Sequence, residues 1–229
     1  MTEALEVEIW SDVMCPWCAV GYARFAQAVE QLEGEIAVAI RWMPFELNPD
    51  MPSEGKPQGQ HLAEVYGRAP QEVAAMQAQM AAVGEQAGFP MRFTGKDGGP
   101  AMMWNTFEAH KLLRWALAAE GPGAQTRLKL ALLRAHLQKC VRIGERTVLL
   151  EIAEAEGFDR AAAETALEDE ALATAVRLEE QRGRASGIQA VPSFVIGGRY
   201  LVQGAREPGD YAQVLRQVAG QAMGAEGSA

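Results

Sequence analysis

The stretch Glu6-Val7-Glu8-Ile9-Trp10-Ser11-Asp12-Val13-Met14-Cys15-Pro16-Trp17-Cys18 decides the reading of this chain. Its first five residues alternate in the strand manner, with Val7 and Ile9 on one face. Ser11 and Asp12 serve as turn or cap residues, and Cys15-Pro16-Trp17-Cys18 opens a helix. Proline suits a first helical position because its missing N–H has no partner to lose there. The helix carries Val20, Ala26, Val29 and Leu32 and stops at Gly34. Ile36, Val38, Ile40 and Trp42 then alternate as a second strand, completing the strand–helix–strand unit that builds parallel sheets.

Working outward, residues 44–60 read as a loop rich in proline, glycine and polar residues. More than a hundred residues of helical pattern follow: Pro70 to Gly88, Met102 to Glu120, Thr126 to Lys139, Thr147 to Glu156, a short helix capped by Asp159, and Leu172 to Arg182. Strand character returns at Ser193–Ile196 and Arg199–Val202 around Gly197-Gly198, a two-residue hairpin signal. A last helix starts near Pro208. This order predicts an α/β thioredoxin-like domain made of residues 1–60 and 188–221, an all-helical insertion at 61–187, and a flexible tail at 222–229.

The 229 residues carry a formal net charge of -9, and no basic run that would track phosphates, which argues against a nucleic-acid partner. No apolar run reaches the roughly 18 residues a membrane span needs. Met1–Trp10 has no signal-like start, so a cytoplasmic, reducing location is expected. There, a close cysteine pair is catalytic or metal-binding more often than structural.

Two cysteines separated by two residues can exchange disulfides. At a helix start the free N–H groups and the macrodipole favour a thiolate, the nucleophilic form of cysteine. Cys15 is therefore expected to be the more exposed and more acidic thiol and to attack a substrate disulfide, and Cys18 to resolve the mixed disulfide. The competing reading is half a zinc site, which would need two further ligands; Cys140, His61, His110 and His136 are isolated in sequence. Val191-Pro192 before the late strand reads either as a plain strand boundary or as a cis peptide facing the cysteines.

Four segments carry a family resemblance: Asp12 to Cys18, Pro44-Phe45-Glu46-Leu47-Asn48-Pro49, Asn105-Thr106 with Ala109-His110, and Val191-Pro192-Ser193-Phe194. Together, and in this order, they resemble the FrnE-like branch of the DsbA family across residues 6 to 218. The resemblance implies a protein disulfide oxidoreductase or isomerase with catalytic Cys15 and Cys18. It places Pro16, Trp17, Phe45, Asn105, Val191 and a cis Pro192 at the substrate. It implies no metal and no cofactor beyond a Cys15–Cys18 disulfide, with protein or small-molecule thiols and disulfides as partners. The branch neighbours 2-hydroxychromene-2-carboxylate isomerases and kappa-class glutathione transferases. Glutathione therefore stays open as a substrate, and a glutathione-dependent isomerase or transferase is the alternative activity. Those relatives typically carry serine where this chain has Cys15. The resemblance leaves the oligomeric state open.

One departure stands out. Many thioredoxin-fold enzymes place a buried acid six residues before the first cysteine, and here that residue is Ile9. Glu8, Asp12 or Glu46 are the candidates to handle the proton instead. Trp17 is expected to tune access to the sulfurs, and Cys140 to be a small buried hydrophobe. His110 is expected to be a structural histidine, and Met76, Met80, Met102 and Met103 to line the seam between insertion and sheet.

Overall fold

The computed structural model describes residues 4–95 and 98–226, with side chains to residue 221. Strand β1 (Leu5–Ser11) leads through the cysteine turn into α1 (Pro16–Gln31) and returns as β2 (Val38–Pro44). β1 and β2 run parallel, Leu5 opposite Val38 and Ser11 opposite Pro44. A two-residue strand β3 (Lys56–Pro57) precedes α2 (Gln58–Tyr66) and α3 (Pro70–Gln86), and pairs with β4 (Met102–Met103). Then come α4 (Phe107–Glu120), α5 (Pro122–Leu137), α6 (Arg146–Ala155), α7 (Arg160–Glu168) and α8 (Glu170–Ala185). The hairpin β5 (Ser193–Ile196) and β6 (Tyr200–Gln203) and helix α9 (Pro208–Glu226) complete the described chain.

The main sheet has the order β2-β1-β5-β6, with β5 antiparallel to both its neighbours. Val7 and Ile9 face Phe25, Leu32, Phe194, Tyr211 and Leu215, all wholly buried. Phe194 is the centre of that core: its ring lies 5.1 Å from Phe25 and 4.8 Å from Tyr211. A second apolar cluster fills the helical region and reaches up to Val13 and Met14, so the insertion helices pack directly beneath the cysteine turn.

Several boundaries differ from the sequence expectations. Ile196 pairs with Tyr200, so the hairpin loop is Gly197-Gly198-Arg199, three residues rather than two, with both glycines at positive φ. Met102-Met103 form a strand and not the start of a helix, held by Lys56-Pro57 inside the expected 44–60 loop. Helix α9 continues to Glu226, through most of the expected tail; residues 227–229 lie outside the described residues.

Two polar side chains on α5, Lys129 and His136, sit in the interior at 1% and 5% exposure. Burial holds the His136 imidazole down at about 4, against the pull of Asp12 and an ordinary 6.5. Between those values the unfolded chain binds one more proton than the folded one. Stability is therefore expected to fall as pH drops from 6.5 to 4, by roughly 3 kcal/mol from this ring alone. Urea unfolding at pH 7.5 and pH 4.5 checks it: His136→Leu should lose clearly less stability over that interval than the parent protein, and an equal loss in both would contradict it.

Candidate active site

Cys15 caps α1 with extended backbone (φ -81°, ψ 113°), and Pro16 occupies the first helical position. The Cys15 carbonyl accepts the Cys18 N–H at 3.1 Å, and the Cys15 thiol donates to the Val191 carbonyl at 3.8 Å. The Val191–Pro192 peptide is cis, so the start of β5 faces the cysteines. Gly21, on the second turn of α1, permits this approach: a Cβ there would stand 2.7 Å from the Pro192 ring. Nothing in the sequence alone singled out Gly21.

Both sulfurs are free thiols and both are largely covered: Cys15 is 4% exposed and Cys18 not at all. The order of exposure is as expected, but the acidity is not. Hydrogen bonding to Cys18, then burial, pushes the Cys15 thiol well up. Burial also opposes ionisation of Cys18, but the Cys15 thiol donor, the Lys129 ammonium and the Ser11 hydroxyl outweigh it and pull Cys18 down. The surroundings therefore favour ionisation of Cys18 over Cys15. The helix start is one contributor among several, and the buried cation is the one the sequence reading missed.

A cavity of about 500 Å³ opens beside the pair. Cys15, Pro16, Trp17 and Val191 form one rim, and Leu47 and Asn48 from the loop after β2 another; α2 and α3 supply the far wall. Trp17 (46% exposed) and Tyr66 (58%) stand open at its mouth. Met76 and Met80 line this cavity and Met103 its floor, so three of the four singled-out methionines border the cavity next to Cys15.

Three expected substrate residues lie elsewhere. Phe45 packs into the core with Trp10, Met43 and Ile188. Asn105 has its amide engaged by the Pro49 and Met51 carbonyls, each at 3.3 Å, while its oxygen accepts the Phe107 N–H at 3.0 Å. It ties the loop after β2 to the start of α4 and does not line the cavity. Pro192 is buried against α1, and Val191 rather than Pro192 lines the cavity.

Behind the sulfurs lies a buried polar cluster. Asp12 accepts the Leu47 N–H at 2.9 Å and the Met14 N–H at 3.3 Å, clamping the loop after β2 to the cysteine turn. His110 Nε2 stands 3.7 Å from Asp12 Oδ1, an electrostatic contact longer than a hydrogen bond. Burial raises the Asp12 carboxyl, yet His110, the Leu47 N–H and Lys129 together hold it below its ordinary value. Glu46, 2% exposed, pairs with Arg177 beside Glu180, and burial and the Glu180 charge raise its carboxyl. Glu46 is thus a buried, paired carboxyl rather than a solvated one. Glu8, by contrast, lies partly exposed on the interior strand β1 and pairs with Arg182 of α8. Lys129 Nζ donates to the Ser11 carbonyl at 3.3 Å and lies 5.2 Å from the Trp42 ring.

Cys140 is half-buried at positive φ, and its thiol bonds to the Thr94 carbonyl at 3.3 Å, so it is a polar contact and not a simple hydrophobe. Among the described residues no three His, Cys, Asp or Glu side chains gather as metal ligands, and no helix is long and apolar enough to cross a membrane.

The sheet order, the helices inserted between its halves and the dithiol at the start of α1 define a thioredoxin-fold protein of the disulfide-exchange type. The chain belongs to the family of the DSBA-like thioredoxin domain, which matches residues 6–216. It is similar to a probable DsbA oxidoreductase from Streptomyces coelicolor, 29% identical, with a TM-score of 0.85 over 94% of this chain and 90% of that one. The Bacillus subtilis protein YwbO is 26% identical over 196 residues, 84% of this chain and 87% of that protein. The fold is shared with the cytosolic disulfide reductase DsbM of Pseudomonas aeruginosa, solved with glutathione (22% identical, TM-score 0.63, 93% of this chain and 98% of that one). It is shared too with a 2-hydroxychromene-2-carboxylate isomerase (13%, TM-score 0.64, 97% and 98%).

Proposed function

We propose that this DsbA-family protein is a thiol–disulfide oxidoreductase in which Cys15 forms a mixed disulfide with substrate and Cys18 resolves it. The observation that carries this is the asymmetry of the pair. Cys15 lines the cavity beside Val191, and Cys18 lies behind it with no exposed surface. Cys18, pulled down while Cys15 is pushed up, is the group beside Cys15 best suited to take its proton as Cys15 attacks.

Among the described residues, the cavity lining contains no Lys, Arg, Asp or Glu. That suits an apolar side chain flanking the substrate cysteine better than a small thiol with charged ends. Protein disulfides are therefore the favoured substrate class. Glutathione, which a fold relative binds, is the first small thiol to assay. No cofactor beyond a Cys15–Cys18 disulfide is invoked. The same reading keeps the dithiol on a thioredoxin unit of residues 1–60 and 188–221, with helices from 61–187 as the cavity wall, and places the protein in the cytoplasm.

The assay is insulin reduction driven by dithiothreitol. The parent protein should accelerate it, and Cys15→Ser should fall to the uncatalysed rate. Full activity in Cys15→Ser, or no acceleration by the parent, would remove the proposal. Glutathione-dependent isomerisation that survives Cys15→Ser would instead favour the transferase-type alternative.

A further inference from the structure

Resolution of the mixed disulfide needs the Cys18 thiol to lose its proton in a place that water does not reach. Once Cys15 is bonded to substrate, it can no longer take that proton. The acceptor must come from the buried groups around Cys18, and they differ sharply. Asp12 already accepts two backbone N–H groups and is held anionic, which makes it a weak base. His136 is neutral and held down at about 4, also far too weak to take a proton from a thiol. Lys129 is different. It sits at 1% exposure on the face of α5 that carries Leu128 and Leu132, with Nζ on the Ser11 carbonyl.

Burying an ammonium among leucines costs free energy unless something answers it. Burial brings Lys129 down to about 8, and the charges that hold it up are Cys18 first, then Asp12, then Cys15. The amine form is thus within reach near neutral pH, and it matches a thiol well as a proton acceptor. A narrow crevice, roomy enough for about one water, is lined by Lys129 with His110 and Arg114 of α4 and Glu179 of α8. It offers the proton a way back to solvent. These are the titratable and charged groups that face Lys129: Cys15, Cys18 and Asp12 at the cysteine turn, His110 and Arg114 on α4, Glu179 on α8, and His136 along its own helix acting on Asp12.

We propose that Lys129, supplied by the helical insertion and anchored on Ser11, is the internal base that takes the Cys18 proton when Cys18 attacks the mixed disulfide. The proposal rests on the dithiol reading above. Cys18–SH gives its proton to the Lys129 amine. The Cys18 thiolate attacks Cys15 Sγ, the Cys15–Cys18 bond forms and the Cys15–substrate S–S bond breaks. The substrate sulfur leaves as a thiolate and is protonated from solvent, and Lys129 returns its proton to solvent through the crevice. The substrate disulfide is reduced by two electrons and the enzyme dithiol is oxidised by two.

The test follows the reaction of reduced enzyme with 5,5′-dithiobis(2-nitrobenzoate) in a stopped-flow instrument from pH 5 to 10. The first thionitrobenzoate release reports Cys15 attack and the second reports resolution by Cys18. Lys129→Met, which also removes the charge that draws Cys18 down, should slow both phases, the second by about a hundredfold at pH 7, the lower range of what positioned proton transfer supplies, with its pH midpoint moved upward. Lys129→Arg, which keeps the charge but cannot accept a proton, should be equally slow in the second phase. A second phase at the parent rate and midpoint in either variant overturns the role of Lys129. A missing first phase in the parent overturns the dithiol reading instead. A measurement on the unaltered protein covers misfolding of the variants: with 13Cε-lysine labelling, one of the five lysines should titrate near 8, and lower once the Cys15–Cys18 disulfide forms. Five lysines all titrating in the ordinary range would refute it.

Discussion

Cys18→Ser is expected to stop turnover and to accumulate protein covalently joined to its substrates. The sulfur at 18 is the only described thiol adjacent to Cys15, since Cys140 bonds to the Arg92–Thr94 segment. Without it, a mixed disulfide at Cys15 waits for an external thiol. Multiple turnover should fall by at least about 10³-fold, comparable to losing a covalent-catalysis partner. Non-reducing electrophoresis of lysate incubated with the variant would show the adducts, and dithiothreitol would collapse them. Parent-like turnover with no adducts would show that Cys18 is not the resolving group.

The largest expected stability effect is at Phe194. It is wholly buried, bonded into β5 opposite Ile9, and packed on both Phe25 and Tyr211. Phe194→Ala removes a ring from a core that has no side chain free to fill the space, and about 3–5 kcal/mol is the expected loss. Because Phe194 follows Pro192 by two residues, the Val191 rim of the cavity should loosen in the same variant. Urea unfolding gives the first quantity. A loss below about 1 kcal/mol would mean that this core collapses around the gap, contrary to its close packing.

Much of the fold was legible in residues 6–42 because period-two alternation, a proline at a helix start and a CxxC pair agree there. The misses have physical causes. β2 runs to Pro44 because Met43 and Pro44 sit against Trp10 and Ser11, a pairing that breaks the alternation rule. β3 and β4, two residues each, are too short for any period, and exist because Lys56 and Met103 meet across the chain. α9 outlasts its expected end because Gln221, Ala222 and Met223 are good helix formers.

The site was half legible. Cys15, Pro16, Trp17 and Val191 line one cavity, with Cys18 behind Cys15. Phe45, Asn105 and Pro192 do not line it, because a motif names a residue but not the direction of its side chain. Lys129 escaped because lysine is read as a solvated residue. A signal existed: Gln125, Lys129, Leu132 and His136 repeat at helical spacing on the one buried stripe of α5, and three of these four are polar. A polar stripe facing a core is the pattern to look for when the expected buried acid is missing, as it is at Ile9.

The most direct test of the whole account is to mix reduced parent protein with one equivalent of a cysteine-containing peptide disulfide, quench with acid within milliseconds, and map the adduct by mass spectrometry after digestion. The peptide should be found on Cys15 at the earliest times and give way to a Cys15–Cys18 disulfide later. A first adduct on Cys18 or on Cys140 would contradict it.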